Sequence, residues 1–492
     1  MTTGKATIHR LSTGVPGMNE VLGGGLPEYS FNIIAGPPGS GKTTLAHQLM
    51  FAMATPQRTA LYFTVLGEPP LKMMRYQQQF DFFDSAKVNR DIRFLNLGED
   101  IASGDLKQVL RKISAEVQAH APALVFIDSF RSVMLADRSG ENFFNLQQFI
   151  QQLGMLMTSW QATTFLVGEY FSEIDPNPVF TVADGMIWLR QSLERNSVVR
   201  KMEISKLRGA AIIPGLHTFR ISSAGLHVFA PMSASASSNA RTNTEEARVS
   251  MGVSGLDEML GGGLPQGYSL LIAGPSGSGK SILAGEFLQE GARKGETGVI
   301  AAFEQRPNKS RGAAIATLIE SGRIGVIETG AMNMSVDEVA MLLIKEIERL
   351  KATRVVIDSL SGFELTLAPT FRADFRESLA RMVSALATTG ATVLMTSELE
   401  DRYDDLRFSP YGTAFLTDAI IVQRYIEIGS QLKRVMAVVK VRASNHSNDL
   451  RLFTIESDGI KVGHKLSDYE GLLGGRPSRA RGRHDSNGID DA

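Results

Sequence analysis

"STGVPGMNEVLGGGLPEYSFNIIAGPPGSGKTTLA", Ser12 to Ala46, returns 238 positions later as "SMGVSGLDEMLGGGLPQGYSLLIAGPSGSGKSILA", Ser250 to Ala284, with no gap. A repeat this long means two tandem domains, because solenoid units run only to roughly 20–50 residues. Each copy ends in the pattern G-x4-G-K-[ST]. In the first it comprises Gly36, Gly39, Ser40, Gly41, Lys42 and Thr43, with Thr44 following. In the second it comprises Gly274, Gly277, Ser278, Gly279, Lys280 and Ser281. Each lies between an apolar strand ("FNIIA", "SLLIA") and a helix, so both read as phosphate-binding loops. Glycines let the backbone wrap a phosphate with several N–H groups pointing inward. The following helix presents its positive end to the anion. Lys42 and Lys280 are then expected at the β- and γ-phosphates of ATP, and Thr43 and Ser281 offer hydroxyls to Mg2+.

Outward from the loops, each half alternates strand and helix. "ALYFTV", "ALVFID" and "TTFLVGE" read as strands in the first half; "VIAAF", "RVVID" and "ATVLMTS" answer them in the second. Between them "DLKQVLRKISAEV" carries apolar residues at 106, 109, 110, 113 and 117, a helical spacing. Apolar strands alternating with helices imply an α/β fold with a mainly parallel sheet covered on both faces. "SVVRKMEISKLRG" and "RVMAVVKVRAS" read as antiparallel strands added at one edge. The first domain is expected over 1–231 and the second over 248–463, joined by a small, polar linker at 232–247. Residues 464–492, ending "GGRPSRARGRHDSNGIDDA", read as a disordered C-terminal tail.

Composition narrows the partners. The 492 residues are 43% hydrophobic and 21% charged, with formal net charge −1. A protein living on nucleic acid usually carries a stronger basic excess. No cysteine is present, which removes disulfides, thiolate metal sites and thiol catalysis. The eight histidines show no metal-ligand spacing. No apolar run approaches the ~18 residues of a membrane span, and "MTTGKATIHRLSTG" lacks a signal-peptide core. The expected setting is the cytoplasm. The 25 phenylalanines, "FDFF" at 80–83 among them, are expected in the core or at subunit contacts.

A divalent ion on the phosphates needs oxygen ligands. "LVFID" and "RVVID" end in Asp128 and Asp358, acids at the ligand end of buried strands, the Walker-B arrangement. The copies part company at the strand after the loop helix. "GVIAAFEQRPN" places Glu304 where an acid can orient the attacking water and take its proton. "ALYFTVLGEPP" has Leu66 and Gly67 at the matching positions. Glu68, two residues beyond Leu66, faces the same side of an extended chain and is the first half's candidate base.

These features together resemble the KaiC family, the RecA-like double-domain ATPase and autokinase of the circadian clock. The resemblance rests on the duplicated "STGVPGMNEVLGGGLP" and "SMGVSGLDEMLGGGLP", the two phosphate loops, the two "IDS" strands and "SDYEGLLGGRPSR" at 467–479. It implies two tandem RecA-like P-loop NTPase domains in a double-ring hexamer, with ATP and Mg2+ at each subunit boundary. It implies a paired Glu-Glu base, of which Glu304 remains in the second domain and neither member in the first. It implies that Lys206 and Arg208, and likewise Lys440 and Arg442, reach the neighbour's γ-phosphate. The family's phosphate acceptors align with Ala414 and Phe415, which have no hydroxyl; Ser409, Thr413 and Thr417 lie nearby. The arginine-rich tail is a candidate dock for a protein partner.

The expected activity is therefore ATP hydrolysis, best at the second site, with serine/threonine autophosphorylation as an added activity. Two other classes share the motifs: a DNA-dependent recombinase or helicase, disfavoured by the neutral charge, and a scaffold that uses ATP only as a switch.

Overall fold

The computed structural model describes residues 8–65, 70–102, 106–130, 143–171, 178–194, 197–231, 247–303, 313–328, 334–367, 369–372, 374–399, 416–466, 469–470 and 478–479. The chain separates into two compact units, Met1–Pro231 and Met232–Ala492.

The first unit is built on a sheet of nine strands among the described residues: β1 (Phe31–Gly36), β2 (Ala60–Thr64), β3 (Ile92–Asn96), β4 (Leu124–Asp128), β5 (Thr163–Glu169), β6 (Gly185–Glu194), β7 (Ser197–Leu207), β8 (Leu216–Ser222) and β9 (Gly225–Phe229). Their order is β9-β8-β7-β6-β1-β5-β4-β2-β3. From β6 to β3 all pairs are parallel; β6 to β9 pair antiparallel. The second unit repeats the plan with β10 (Ser269–Gly274), β11 (Gly298–Ala302), β12 (Ile324–Glu328), β13 (Arg354–Asp358), β14 (Thr392–Glu398), β15 (Ala419–Ile428), β16 (Gln431–Val441), β17 (Arg451–Glu456) and β18 (Gly459–Lys465). Its order is β12-β11-β13-β14-β10-β15-β16-β17-β18, the same arrangement. The α/β reading and the antiparallel edge strands expected from sequence are both present.

Continuous apolar strands demand cover on both faces. Every residue of β1 and β2 is buried. One face of the first sheet packs on helix α1 (Lys42–Met53) through Leu45, Leu49 and Met50. The other packs on α2 (Leu106–His120) and α3 (Phe143–Ser159), where Val109, Ile113, Phe149 and Leu153 close the core. In the second unit α4 (Lys280–Arg293) takes the place of α1. Side chains alternate between faces along a strand, so Tyr62, Phe126 and Val167 share the face that α1 covers.

The strand plan is common, but a connection differs. In the first unit residues 78–91 lie between a helix at Pro70–Gln77 and β3; in the second only 321–323 lie between α5 (Ala313–Glu320) and β12. The longer connection holds Phe82 and Phe83, which pack on the core, Phe83 5.0 Å from the Phe51 ring. Tyr469–Glu470 pairs antiparallel with Ser478–Arg479.

Candidate functional site

The two phosphate loops share one backbone. Gly39 and Gly277 both have φ 74°, and Gly41 and Gly279 have φ 100° and 104°. Any side chain is strained there. A Cβ at Gly41 would also stand 2.6 Å from Ile221 Cδ1, and one at Gly279 2.8 Å from Ile455 Cδ1. Gly36 and Gly274 end β1 and β10. Gly41 and Gly279 cap α1 and α4 without a side-chain bond, which leaves first-turn N–H groups for an anion. Ser40 and Ser278 are fully buried beneath the loops, and Ser278 Oγ donates to Gln423 Oε1 at 3.0 Å. Thr44 sits half-buried on the first turn of α1.

Both lysines lie over their loops. Lys42 Nζ donates to the Pro37 carbonyl at 2.8 Å; Lys280 Nζ donates to Gly274 and Pro275 at 2.8 and 2.7 Å. Burial pushes the Lys42 pKa down, opposed by the charges of Glu169 and Asp128.

Asp128 ends β4 beside the first loop. Its Oδ2 accepts from Thr43 Oγ1 at 2.8 Å and from the Tyr62 hydroxyl at 2.7 Å. Burial raises its pKa, while the Tyr62 and Thr43 bonds and the Lys42 charge act against the rise. Burial also holds the Tyr62 phenol well above its usual range, so it remains a donor. Asp358 ends β13 at the equivalent place and accepts from the Thr396 hydroxyl. The structure thus brings each loop together with its strand-end aspartate.

Leu66, Gly67 and Glu68, and Glu304 with Gln305, lie outside the described residues. The positions just before them are matched: Val65 N–H donates to the Asp128 carbonyl at 2.9 Å, and Phe303 N–H to the Asp358 carbonyl at 2.8 Å.

The late-strand cations are not at their own unit's loop. Lys206 pairs in register with Met186, near the start of β6, and Asn32 near the start of β1 pairs with Gly185. The phosphate loop follows the other end of β1. Lys440 pairs with Ile420, and Ile420 with Leu271, near the start of β10. Lys206 donates to the Phe180 and Thr181 carbonyls at 3.4 Å, and Lys440 to the Thr417 carbonyl at 2.7 Å. Arg208 pairs with Asp184 at 3.1 Å and Arg442 with Asp418 at 3.4 Å. Burial lowers the pKa of both lysines, each helped by its neighbouring arginine.

Sequence reasoning passed over a cavity of about 500 Å³ in the second unit. It runs from Ser281 and Asp358 along α4, past Gly285 and Glu286, to the β17–β18 turn at Glu456 and Asp458. Burial raises the Glu286 pKa, the Arg293 charge opposes this, and Asp458 and Glu290 reinforce it. In the first unit the counterparts of Gly285 and Ile300 are His47 and Tyr62. Their rings pack at 4.6 Å. Neither residue belongs to a motif, so only the packing of α1 on the β2 face brings them together at the site.

The chain matches the family described as "ATPase: KaiC" twice, over residues 11–233 and 249–467. It is 27% identical to the circadian clock oscillator protein KaiC 1 of Synechocystis sp., across 96% of this chain and 92% of that protein. It is 26% identical to the circadian clock oscillator protein KaiC of Picosynechococcus sp., with 96% and 93% covered. The KaiC of Prochlorococcus marinus is also 26% identical, across 98% of both chains. With two copies of the family's domain spanning nearly its whole length, this chain belongs to the KaiC ATPase family.

Proposed function

We propose that the protein is a cytoplasmic, magnesium-dependent ATPase that works as a hexamer, with a mainly structural first site and a hydrolytic second site. The observation that carries this reading is the pairing, made twice, of a glycine loop and its lysine with a strand-end aspartate. Backbone N–H groups and the helix end grip the phosphates, and Lys42 or Lys280 neutralises the β- and γ-oxygens. A mainly structural first unit is taken over 1–231 and a hydrolytic second unit over 248–463.

The donor sets fit magnesium. This hard ion is held by one or two carboxylates plus substrate phosphates and water, not by an all-protein cage. Thr43 with Asp128 and Ser281 with Asp358 are sets of that kind. Among the described residues no group of three or more His, Cys, Asp or Glu gathers as a cage. Bound there, magnesium would supply charge neutralisation at the phosphate oxygens.

In the second site Glu304 takes the proton of the attacking water. In the first, Leu66 and Gly67 cannot, and Glu68 is the nearest acid in sequence. ATP held at a subunit boundary stabilises assembly by mass action, and slow turnover prolongs that effect. The placement of Lys206, Arg208, Lys440 and Arg442 supports a ring. They stand at the end of each sheet away from its own loop and so serve a neighbour's phosphate. Thr417 is fully buried, so the acceptor of any autophosphorylation is assigned to Ser409 or Thr413. Mass spectrometry of protein incubated with ATP tests that assignment.

Sizing chromatography beside phosphate release tests the division of labour. Lys42→Ala should weaken assembly more than turnover. Unchanged assembly in that variant rejects the proposal.

A further inference from the structure

The two Walker-type aspartates are steadied from opposite sides. Each sits on a strand with two parallel neighbours: β4 lies between β2 and β5, and β13 between β11 and β14. In the first unit the hydroxyl comes from β2, as Tyr62, while β5 offers Val167. In the second it comes from β14, as Thr396, while β11 offers Ile300. Val167 and Thr396 occupy the same position in matching strands, as do Tyr62 and Ile300. Each aspartate therefore accepts from one buried hydroxyl of a neighbouring strand; Thr64, in register with Asp128 on β2, turns its own hydroxyl to the Leu95 carbonyl at 3.4 Å.

We propose that Tyr62 is the positioning residue of the first site, holding Asp128 for magnesium as Thr396 holds Asp358; this rests on the ATP-magnesium reading above. The phenol is built for the task. Tyr62 is fully buried, with its ring 4.6 Å from His47, 5.5 Å from Phe94 and 5.8 Å from Phe126. The three neighbours fix the direction of the O–H, so the bond to Asp128 costs little further side-chain entropy. Thr43 and Tyr62 converge on one carboxylate oxygen. The carboxylate is thus clamped by one edge, and removing the phenol leaves a buried acid with one donor fewer. A tyrosine serving only to fill space would be replaced by phenylalanine without consequence for metal binding.

The test uses full-length protein with Lys280→Ala, which silences the second loop. Binding of a fluorescent ATP analogue is titrated with MgCl2 and repeated in EDTA. Tyr62→Phe should raise the magnesium concentration for half-maximal binding by about tenfold, the size expected for one hydrogen bond to a charged group. Binding in EDTA should stay near that of the parent, and the melting temperature should fall by only a few degrees, the usual cost of one donor lost to a buried acid. Adding Val167→Thr to Tyr62→Phe should restore most of the magnesium response, because the new hydroxyl takes the Thr396 position. An unchanged magnesium midpoint in Tyr62→Phe overturns the proposal. So does a shift that Val167→Thr fails to reverse, or one accompanied by equal loss in EDTA, since either marks a packing defect. If the Lys280→Ala parent binds no nucleotide in either condition, the first-site reading itself fails and takes this inference with it.

Discussion

Five residues along the loop helix the first unit carries His47 and the second Gly285. His47 is fully buried against Tyr62 and Phe94. Gly285 faces the 500 Å³ cavity, and a Cβ placed on it would meet nothing nearer than 3.9 Å. One residue further on, Gln48 donates to the Leu226 carbonyl at 3.2 Å and accepts from its N–H at 2.7 Å. Those bonds tie β9 to the helix. Its counterpart Glu286 can only accept when ionised. The phosphate grip is nearly identical in the two units, yet among the described residues aromatic rings pack along the loop helix in the first and a cavity lies along it in the second. Duplication has kept the chemistry of the loop and let its surroundings diverge.

The sharpest way to break this comparison is at the base. Glu304→Gln should cut phosphate release about 10²- to 10⁴-fold, the usual worth of a positioned general base. Assembly on a sizing column should be unchanged. Retained turnover would move hydrolysis to the first unit and invert the assignment.

The next effect belongs to His47. Burial depresses its pKa from 6.5 to about 4, with the Gln77 side chain opposing. Between those values the unfolded chain takes up a proton that the folded chain refuses. Stability is therefore full above pH 6.5 and declines as pH falls toward 4, by about 3 kcal/mol in total. Calorimetry between pH 7.5 and 4.5 should show one transition falling more steeply in wild type than in His47→Leu. Parallel slopes would mean that the ring is not held neutral.

A smaller change sharpens the open side. Gly285 lies inside α4, where glycine costs about 0.5–1 kcal/mol relative to alanine. Gly285→Ala has room for its methyl and should stabilise the second unit by that amount in denaturant unfolding. A loss of stability would show that the cavity is narrower than its walls imply.

The loops, the sheet and the aspartates were legible in the sequence because each depends on local pattern. A glycine spacing, an apolar run and a terminal acid announce themselves within a few residues. Tyr62, Thr396 and His47 were not legible. Their meaning comes from which strands lie beside Asp128 and Asp358, and that order is set by the whole sheet. The late-strand cations fall between these cases. Their spacing was readable, but the parallel register of β6 with β1 was needed to place them away from their own loop.

The most direct test of a holding site beside a working one is to count nucleotide after incubation of the full-length protein with magnesium and ATP. Protein is separated rapidly from free nucleotide and the bound fraction is extracted. Two nucleotides per chain are expected, with ATP persisting in the first site and ADP accumulating in the second, and Glu304→Gln should carry ATP in both. ADP in both sites of wild type would contradict the division of labour, and no bound nucleotide would contradict the account as a whole.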